Sequence, residues 1–267
     1  MTINNYFYSL IPMLALAFIV WLLSVRKQDV SIVDSLWSIL FVAAASYYLW
    51  VLDEVSLRAQ IIYMLVLIWG IRLSAYITLR HLGHGEDHRY QRIRANNQPS
   101  FAFKSLYLIF MFQAALAWII SLPLFYAMSS GSALSVIDYL GIALWTLGLL
   151  FEATADQQLY SFKKQPENKG RLLTRGLWAY SRHPNYFGEF LIWWGFYLLA
   201  LSATDASAAV IAIISPLIMS LLLLRVSGVA LLERSMRIKP GYEDYMRNTS
   251  AFIPWFKKHD RDESGAS

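Results

Sequence analysis

The chain has 267 residues, 57% of them hydrophobic and only 15% charged, with a mean hydropathy of +0.42, more apolar side chain than one soluble core absorbs. An ordinary soluble domain is excluded, and a polytopic membrane protein is implied. The net charge of +5 is spread over short loops between apolar runs, so it implies no nucleic-acid partner, and zero cysteines exclude disulfides, thiolate metal sites and thiol nucleophiles.

Seven apolar segments of roughly 20 residues, the length that crosses a bilayer as helix, run over 6–25, 31–52, 58–80, 104–126, 136–158, 185–204 and 208–232. They predict an all-α fold, a single seven-helix membrane domain over 1–267 with no soluble domain and no repeat. The first run has no basic leader and no small-residue cleavage pattern, so it is read as the first span. All of the 23 basic residues except Arg58, Arg72 and Arg225 follow the first, third, fifth or seventh span. Short loops rich in Lys and Arg stay cytoplasmic, which predicts the N-terminus outside and the C-terminus cytoplasmic.

Ionisable groups inside spans cost a few kcal/mol on insertion scales, so each is a functional candidate. Six are marked: Asp34, Arg72, Glu152, Asp156, Glu189 and Arg225. In the expected orientation all lie in the cytoplasmic half, which predicts a polar chamber open to the cytosol beneath an apolar one reachable from lipid. Glu152 and Asp156 share a helix face that continues to Lys163, and Arg72, Tyr76 and Arg80 share another. The competing expectation is that these acids and arginines pair to hold helices together.

The stretch Arg182-His-Pro-Asn-Tyr-Phe-Gly-Glu189 follows a basic loop carrying Lys163, Lys164, Lys169, Arg171 and Arg175. Pro184 suits a first helical turn, where its missing N–H costs nothing, and free amides flanked by arginines suit an anionic ligand. The loop His84-Gly-Glu-Asp-His-Arg-Tyr90 reads either as a pocket cap or as a solvated loop. The tail from Lys239 to Trp255 has Pro-Gly punctuation and an aromatic, membrane-skimming finish, and is expected to pack back under the bundle. No His and Glu spacing suggests a metal site.

Three of these features, Arg182 to Glu189, Glu152-x-x-x-Asp156, and Gly241-Tyr-Glu-Asp-Tyr245 followed by Ser250-Ala-Phe-Ile-Pro-Trp255, resemble the membrane superfamily of steroid 5α-reductases, sterol reductases and isoprenylcysteine carboxyl methyltransferases. With Asp34-Ser-Leu-Trp37, Arg72-Leu-Ser74 and Gly85 to Tyr90, the chain looks most like bacterial 5α-reductase-like proteins of unassigned substrate. The resemblance implies a multi-pass protein of a bacterial inner membrane with NADPH held in a cytosolic pocket, mainly by residues 139–255. Matched by position, it implies cofactor contacts from Asp156, Lys163, Arg171, Asn185, Glu189 and Arg225 and from Glu152, which stands where the steroid enzymes use an Asn; Arg182, His183 and Tyr186 of the same motif are counted with them.

The pattern departs from the steroid enzymes where they polarise the enone. Their second-helix Glu with its Gln and their third-helix Tyr are absent, and Asp34, Arg72 and Tyr76 are the candidates to polarise the reacting carbonyl. After Arg225 the run Ser227-Gly-Val-Ala-Leu-Leu-Glu233 lacks their His and Tyr, and Glu233 resembles the acidic end of that helix in the methyltransferases. The expected function is NADPH-dependent reduction of a lipophilic enone taken from the bilayer, sterol-like or isoprenoid. The first alternative is an S-adenosylmethionine-dependent methyltransferase acting on a lipid or prenyl group, and the second a non-enzymatic assembly or lipid-binding protein. The cations favour NADPH, because phosphates call for more of them than a zwitterionic sulfonium does. Oligomeric state is open.

Overall fold

The structure is a computed structural model that describes residues 1–226 and 228–256; Ser227, Lys257, Lys258 and Arg261, which enter the seventh-span motif and the charge pattern, lie outside the described residues. The described residues form helices joined by turns, with one isolated parallel bridge between Ser181 and Ser250. Seven helices are long and apolar enough to cross a membrane, and the protein is an integral multi-pass membrane protein.

In chain order the seven, with three shorter helices between and after them, are α1 (Ile3–Lys27), α2 (Ile32–Trp50), α3 (Leu57–His81), a short α4 (His88–Asn96), α5 (Phe101–Ile120), a short α6 (Leu122–Met128), α7 (Val136–Lys164), α8 (Pro184–Ala203), α9 (Ala206–Met236) and a tail helix α10 (Tyr242–Asn248). Local chemistry sets the ends. Gln28 leaves α1 in the left-handed conformation behind Arg26 and Lys27, two cations that suit a helix C-terminus. Ser56, Asp87 and Asp205 cap α3, α4 and α9 by accepting from Ala59, Arg89 and Ala208 amides. The predicted fourth span, 104–126, is instead divided at Ser121, because Pro123 fits the first turn of a new helix and not the interior of an old one. The fifth runs six residues past its apolar stretch, to Lys164.

Contacts gather the chain into two compact units. The first holds Met1–Asp138 and Tyr197–Ser215, the second Tyr139–Phe196 and the chain from Pro216 onward. In the first unit, α2 and α3 approach closely where Gly70 faces Ser38, whose hydroxyl donates to the Gly70 carbonyl at 2.7 Å. A Cβ at Gly70 would collide with Val42, so the small residue sets this spacing. The Tyr48 hydroxyl lies 3.0 Å from the Ser9 hydroxyl and 2.9 Å from that of Ser121, joining α2 to the bends in α1 and after α5. Ile11, Trp50 and Met64 leave large apolar faces exposed, as expected of helices whose outer solvent is lipid.

The same unit contains a feature absent from the six marked charges. Arg58 and Asp138 are 1% and 0% exposed and form a bidentate pair, Nε to Oδ1 at 2.8 Å and Nη2 to Oδ2 at 2.9 Å. Arg58 Nη1 also donates to the Ser132 hydroxyl and carbonyl, while Asp138 Oδ2 accepts from the Ser135 amide and the Ser202 hydroxyl. Asp138 falls within the predicted fifth span and Arg58 opens the third, so both met the rule that marked the other charges.

Candidate functional site

In the second unit, α7 and α8 meet backbone to backbone. A Cβ on Gly188 would stand 2.5 Å from both the Glu152 amide nitrogen and the Gly148 carbonyl oxygen, and one on Gly195 would stand 2.8 Å from the Gly141 carbonyl. Gly141 and Gly148 on α7 face Gly195 and Gly188 on α8, each pair seven residues apart, so two turns of each helix share one small-residue seam. This close approach sets Glu152 and Asp156 against the first turns of α8. Both acids are buried, as is Glu189. Asn185 Nδ2 donates to Asp156 Oδ1 at 3.2 Å, and Trp193 Nε1 donates to Glu189 Oε1 at 3.0 Å. The expected face of Glu152 and Asp156 and the expected polar opening of α8 are thus brought together.

The segment before α8 is stitched to the tail. Arg182 Nε and Nη2 both donate to Glu233 Oε1, at 2.8 and 2.5 Å, and Nη1 donates to the carbonyls of Met246 and Thr249. The Arg182 amide donates to the Ser250 carbonyl, the Ser181 hydroxyl to that of Phe252, and the Tyr245 hydroxyl to that of Trp178. The guanidinium fork, expected at a cofactor, here holds the C-terminal segment, which packs back on the motif.

His183 lies inside this knot, 4% exposed, its ring stacked parallel on Tyr186 at 5.7 Å. Its Nε2 makes no hydrogen bond among the described residues and stands 3.5 Å from Glu233 Oε1. Burial lowers the His183 pKa from 6.5 to about 4; Arg182 adds to the shift and Glu233 opposes it, burial winning. Below pH 6.5 the unfolded chain takes up a proton that the folded chain refuses until about pH 4, so stability falls through that window as pH drops. His183→Gln is expected to flatten this fall, by at most about 3 kcal/mol. The check is the unfolding midpoint of both proteins between pH 7 and pH 4.5. Parallel curves would remove His183 as the group responsible.

Beyond the end of α7 the loop is basic and open. Lys163 and Arg171 are exposed, and Arg171 and Arg175 line a concavity of about 440 Å³ with Phe162, Gln165, Asn168 and Thr174. Arg225 is also exposed, on the π-helical turn Leu222–Val226 of α9. The turn is closed by the Gly228 amide donating to the Leu222 carbonyl, and a Cβ at Gly228 would collide with the Leu223 carbonyl oxygen. A π turn widens a helix by one residue and recurs where a helix carries a functional side chain.

Asp34, Arg72 and Tyr76 belong to the first unit. Asp34 is half-buried in the first turn of α2, and both its oxygens are engaged: Oδ2 accepts from Arg89 Nη2 at 2.6 Å and Oδ1 from the Tyr90 hydroxyl at 2.5 Å. Burial, then the Asp34 charge, raises the Tyr90 pKa, so the phenol keeps the proton it donates. Glu86 accepts from the Val30 amide and from Arg94, the Asp87 amide donates to the Ser31 hydroxyl, and His81 pairs with Asp29 at 2.9 Å. The segment His84 to Tyr90 is docked on one side and solvated on the other: Glu86, Asp87, Arg89 and Tyr90 bond to residues 30, 31 and 34, while His84, Gly85, His88 and Arg89 are exposed. Arg72 and Tyr76 are half-buried on α3, with the Arg80 guanidinium 5.6 Å from the Tyr76 ring centre. No group of three or more potential metal ligands occurs among the described residues.

An uncharacterized protein of Schizosaccharomyces pombe is 28% identical over 231 residues, covering 76% of this chain and 67% of that protein. The rat 3-oxo-5-alpha-steroid 4-dehydrogenase 1 is 29% identical over 115 residues, only 43% of this chain and 40% of the steroid enzyme. No solved structure matches. The family model for a protein of unknown function, DUF1295, matches residues 20–249, and the chain therefore belongs to the DUF1295 family of membrane proteins.

Proposed function

We propose that the protein is a reductase that adds hydride from NADPH to a polarised C=C bond of a lipophilic enone, sterol-like or isoprenoid, drawn from the bilayer. The carrying observation is the polar set on α7 and α8, buried Glu152, Asp156 and Glu189 with Asn185, followed by the exposed cations Lys163 in the last turn of α7 and Arg171 and Arg175 in the loop after it. Buried carboxylates accept from hydroxyl and amide groups, and exposed guanidinium groups suit phosphates, so the donor set fits a dinucleotide. The distant, partial likeness to the rat steroid enzyme supports the same reading.

When bound, NADPH supplies the hydride. Lys163, Arg171 and Arg225 hold its phosphates in this reading, Glu152 and Asp156 accept from its hydroxyls, and Asn185, Tyr186 and Glu189 line the opening of α8. Arg182 and His183 act by shaping that opening, since Arg182 is already bonded to Glu233 and the tail. Asp34 works with the Tyr90 hydroxyl that it holds, and with Arg72 and Tyr76, at the reacting carbonyl. The charge distribution supports an orientation with the C-terminus in the cytosol, where NADPH is found.

One contact favours the methyltransferase reading. The Arg-His-Pro-x-Tyr motif and Glu233, the two features behind it, meet through Arg182. Thermal unfolding of the detergent-purified protein with NADPH, NADH and S-adenosylmethionine separates the readings, because a ligand that binds only the folded state raises the midpoint. NADPH is expected to raise it most. A rise with S-adenosylmethionine alone would establish the rival, and no rise with any of them would favour a non-enzymatic protein. Arg171→Ala is expected to weaken NADPH about tenfold or more while leaving NADH nearly unchanged, as loss of a 2′-phosphate contact requires. Equal weakening of both would refute that role.

A further inference from the structure

The exposed end of the tail is not used by the function proposed above. Ile253, Trp255 and Phe256 are 62%, 68% and 77% exposed, and Tyr180 joins them as a fourth large apolar side chain at 45%. The three rings form one surface, with Tyr180 and Phe256 meeting edge to face at 6.3 Å and Trp255 meeting Phe256 at 6.4 Å, and Ile253 is exposed two residues before Trp255. Four exposed side chains of this size on a loop segment would be a costly surface in water.

Their place in the fold is held firmly. The Trp255 amide donates to the Tyr180 carbonyl at 2.9 Å, and the stitches from Ser181 and Arg182 to Ser250, Phe252 and Thr249 fix the chain on either side. Tyr180 stands four residues before Pro184, the first residue of the sixth span. The cluster therefore lies within about 14 Å, the reach of four extended residues, of where the chain enters the membrane. After Phe256 the sequence continues Lys257-Lys258, cations next to aromatics as anionic headgroups favour.

We infer that Tyr180, Ile253, Trp255 and Phe256 form a lipid anchor, inserted at the boundary between headgroups and acyl chains, that secures the C-terminal strap to the bilayer surface. Amphipathic rings prefer that layer, and surface-lying segments reach roughly 5–10 Å into it. Because the strap is bonded to Arg182, the anchor also fixes the level of the α8 opening relative to the membrane. The inference does not depend on the reductase reading.

The native chain has no cysteine, so single cysteines can carry a nitroxide without background. Labels at Ile253→Cys and Trp255→Cys, in nanodiscs of mixed zwitterionic and anionic phospholipid, are compared with a water reference, Glu167→Cys, and a lipid reference, Leu217→Cys, both at exposed positions. Relaxation by oxygen is expected to exceed relaxation by a nickel chelate at 253 and 255, as at 217. Nickel-dominated relaxation, as at 167, would overturn the anchor. Protection from both reagents would also overturn it, since a protein surface would then cover the cluster. Ile253→Cys alone suffices should Trp255→Cys fail to elute as a folded protein.

Discussion

Replacing Arg58 by alanine is expected to cost about 3–5 kcal/mol of stability, the usual cost of removing one partner from a buried ion pair. The reason lies with Asp138, a buried carboxylate whose remaining donors among the described residues would be the Ser135 amide and the Ser202 hydroxyl, so that it must stay under-paired or take up a proton. The pair itself need not be the source of stability, because burying both charges offsets most of their attraction. Arg58→Met combined with Asp138→Leu is therefore expected to regain most of the loss. Unfolding in mixed detergent, followed by far-UV circular dichroism, measures both. A single Arg58→Ala within about 1 kcal/mol of the native protein would show that water or lipid headgroups reach the site and replace the arginine.

Gly188→Ala is expected to act on binding as much as on stability. Its single added carbon would meet the Glu152 amide and the Gly148 carbonyl, both at 2.5 Å, and backbone cannot turn aside as a side chain can. The helices must separate, at about 1–3 kcal/mol by the measure of overpacked cores. Separation draws Glu152 and Asp156 away from Asn185, so NADPH affinity is expected to fall more than tenfold. Gly131→Ala is the control, as a Cβ there meets nothing within 4 Å. The experiment is NADPH titration of both variants at a temperature where each remains folded. Native affinity in Gly188→Ala would mean that the seam does not position the acids.

These two sites differ in how far they could be read ahead. The seam was visible in principle, since glycines seven apart on the fifth and sixth spans fall on one face of each helix, but spacing cannot say that the two faces meet. Asp138 and Arg58 obey the rule that marks Asp34 and Glu152, but nothing in that rule says that they pair across 80 residues of chain. The resemblance places Arg182 among the cofactor contacts, while the structure bonds it to Glu233. Its partner Glu233 lies 51 residues along the chain, a separation no local pattern reports.

What the sequence by itself determined is the all-helical membrane architecture, its seven spans and the shared face of Glu152 and Asp156. These follow from constraints that act residue by residue, because a bilayer demands a fixed length of apolar chain and a helix repeats every 3.6 residues. Tertiary structure alone decided which polar groups satisfy one another. Asp34 went to Arg89 and Tyr90, Arg58 to Asp138, and Arg182 to Glu233 and the tail. A buried charge takes whatever partner the packing brings within about 3 Å, and packing joins segments far apart in the chain.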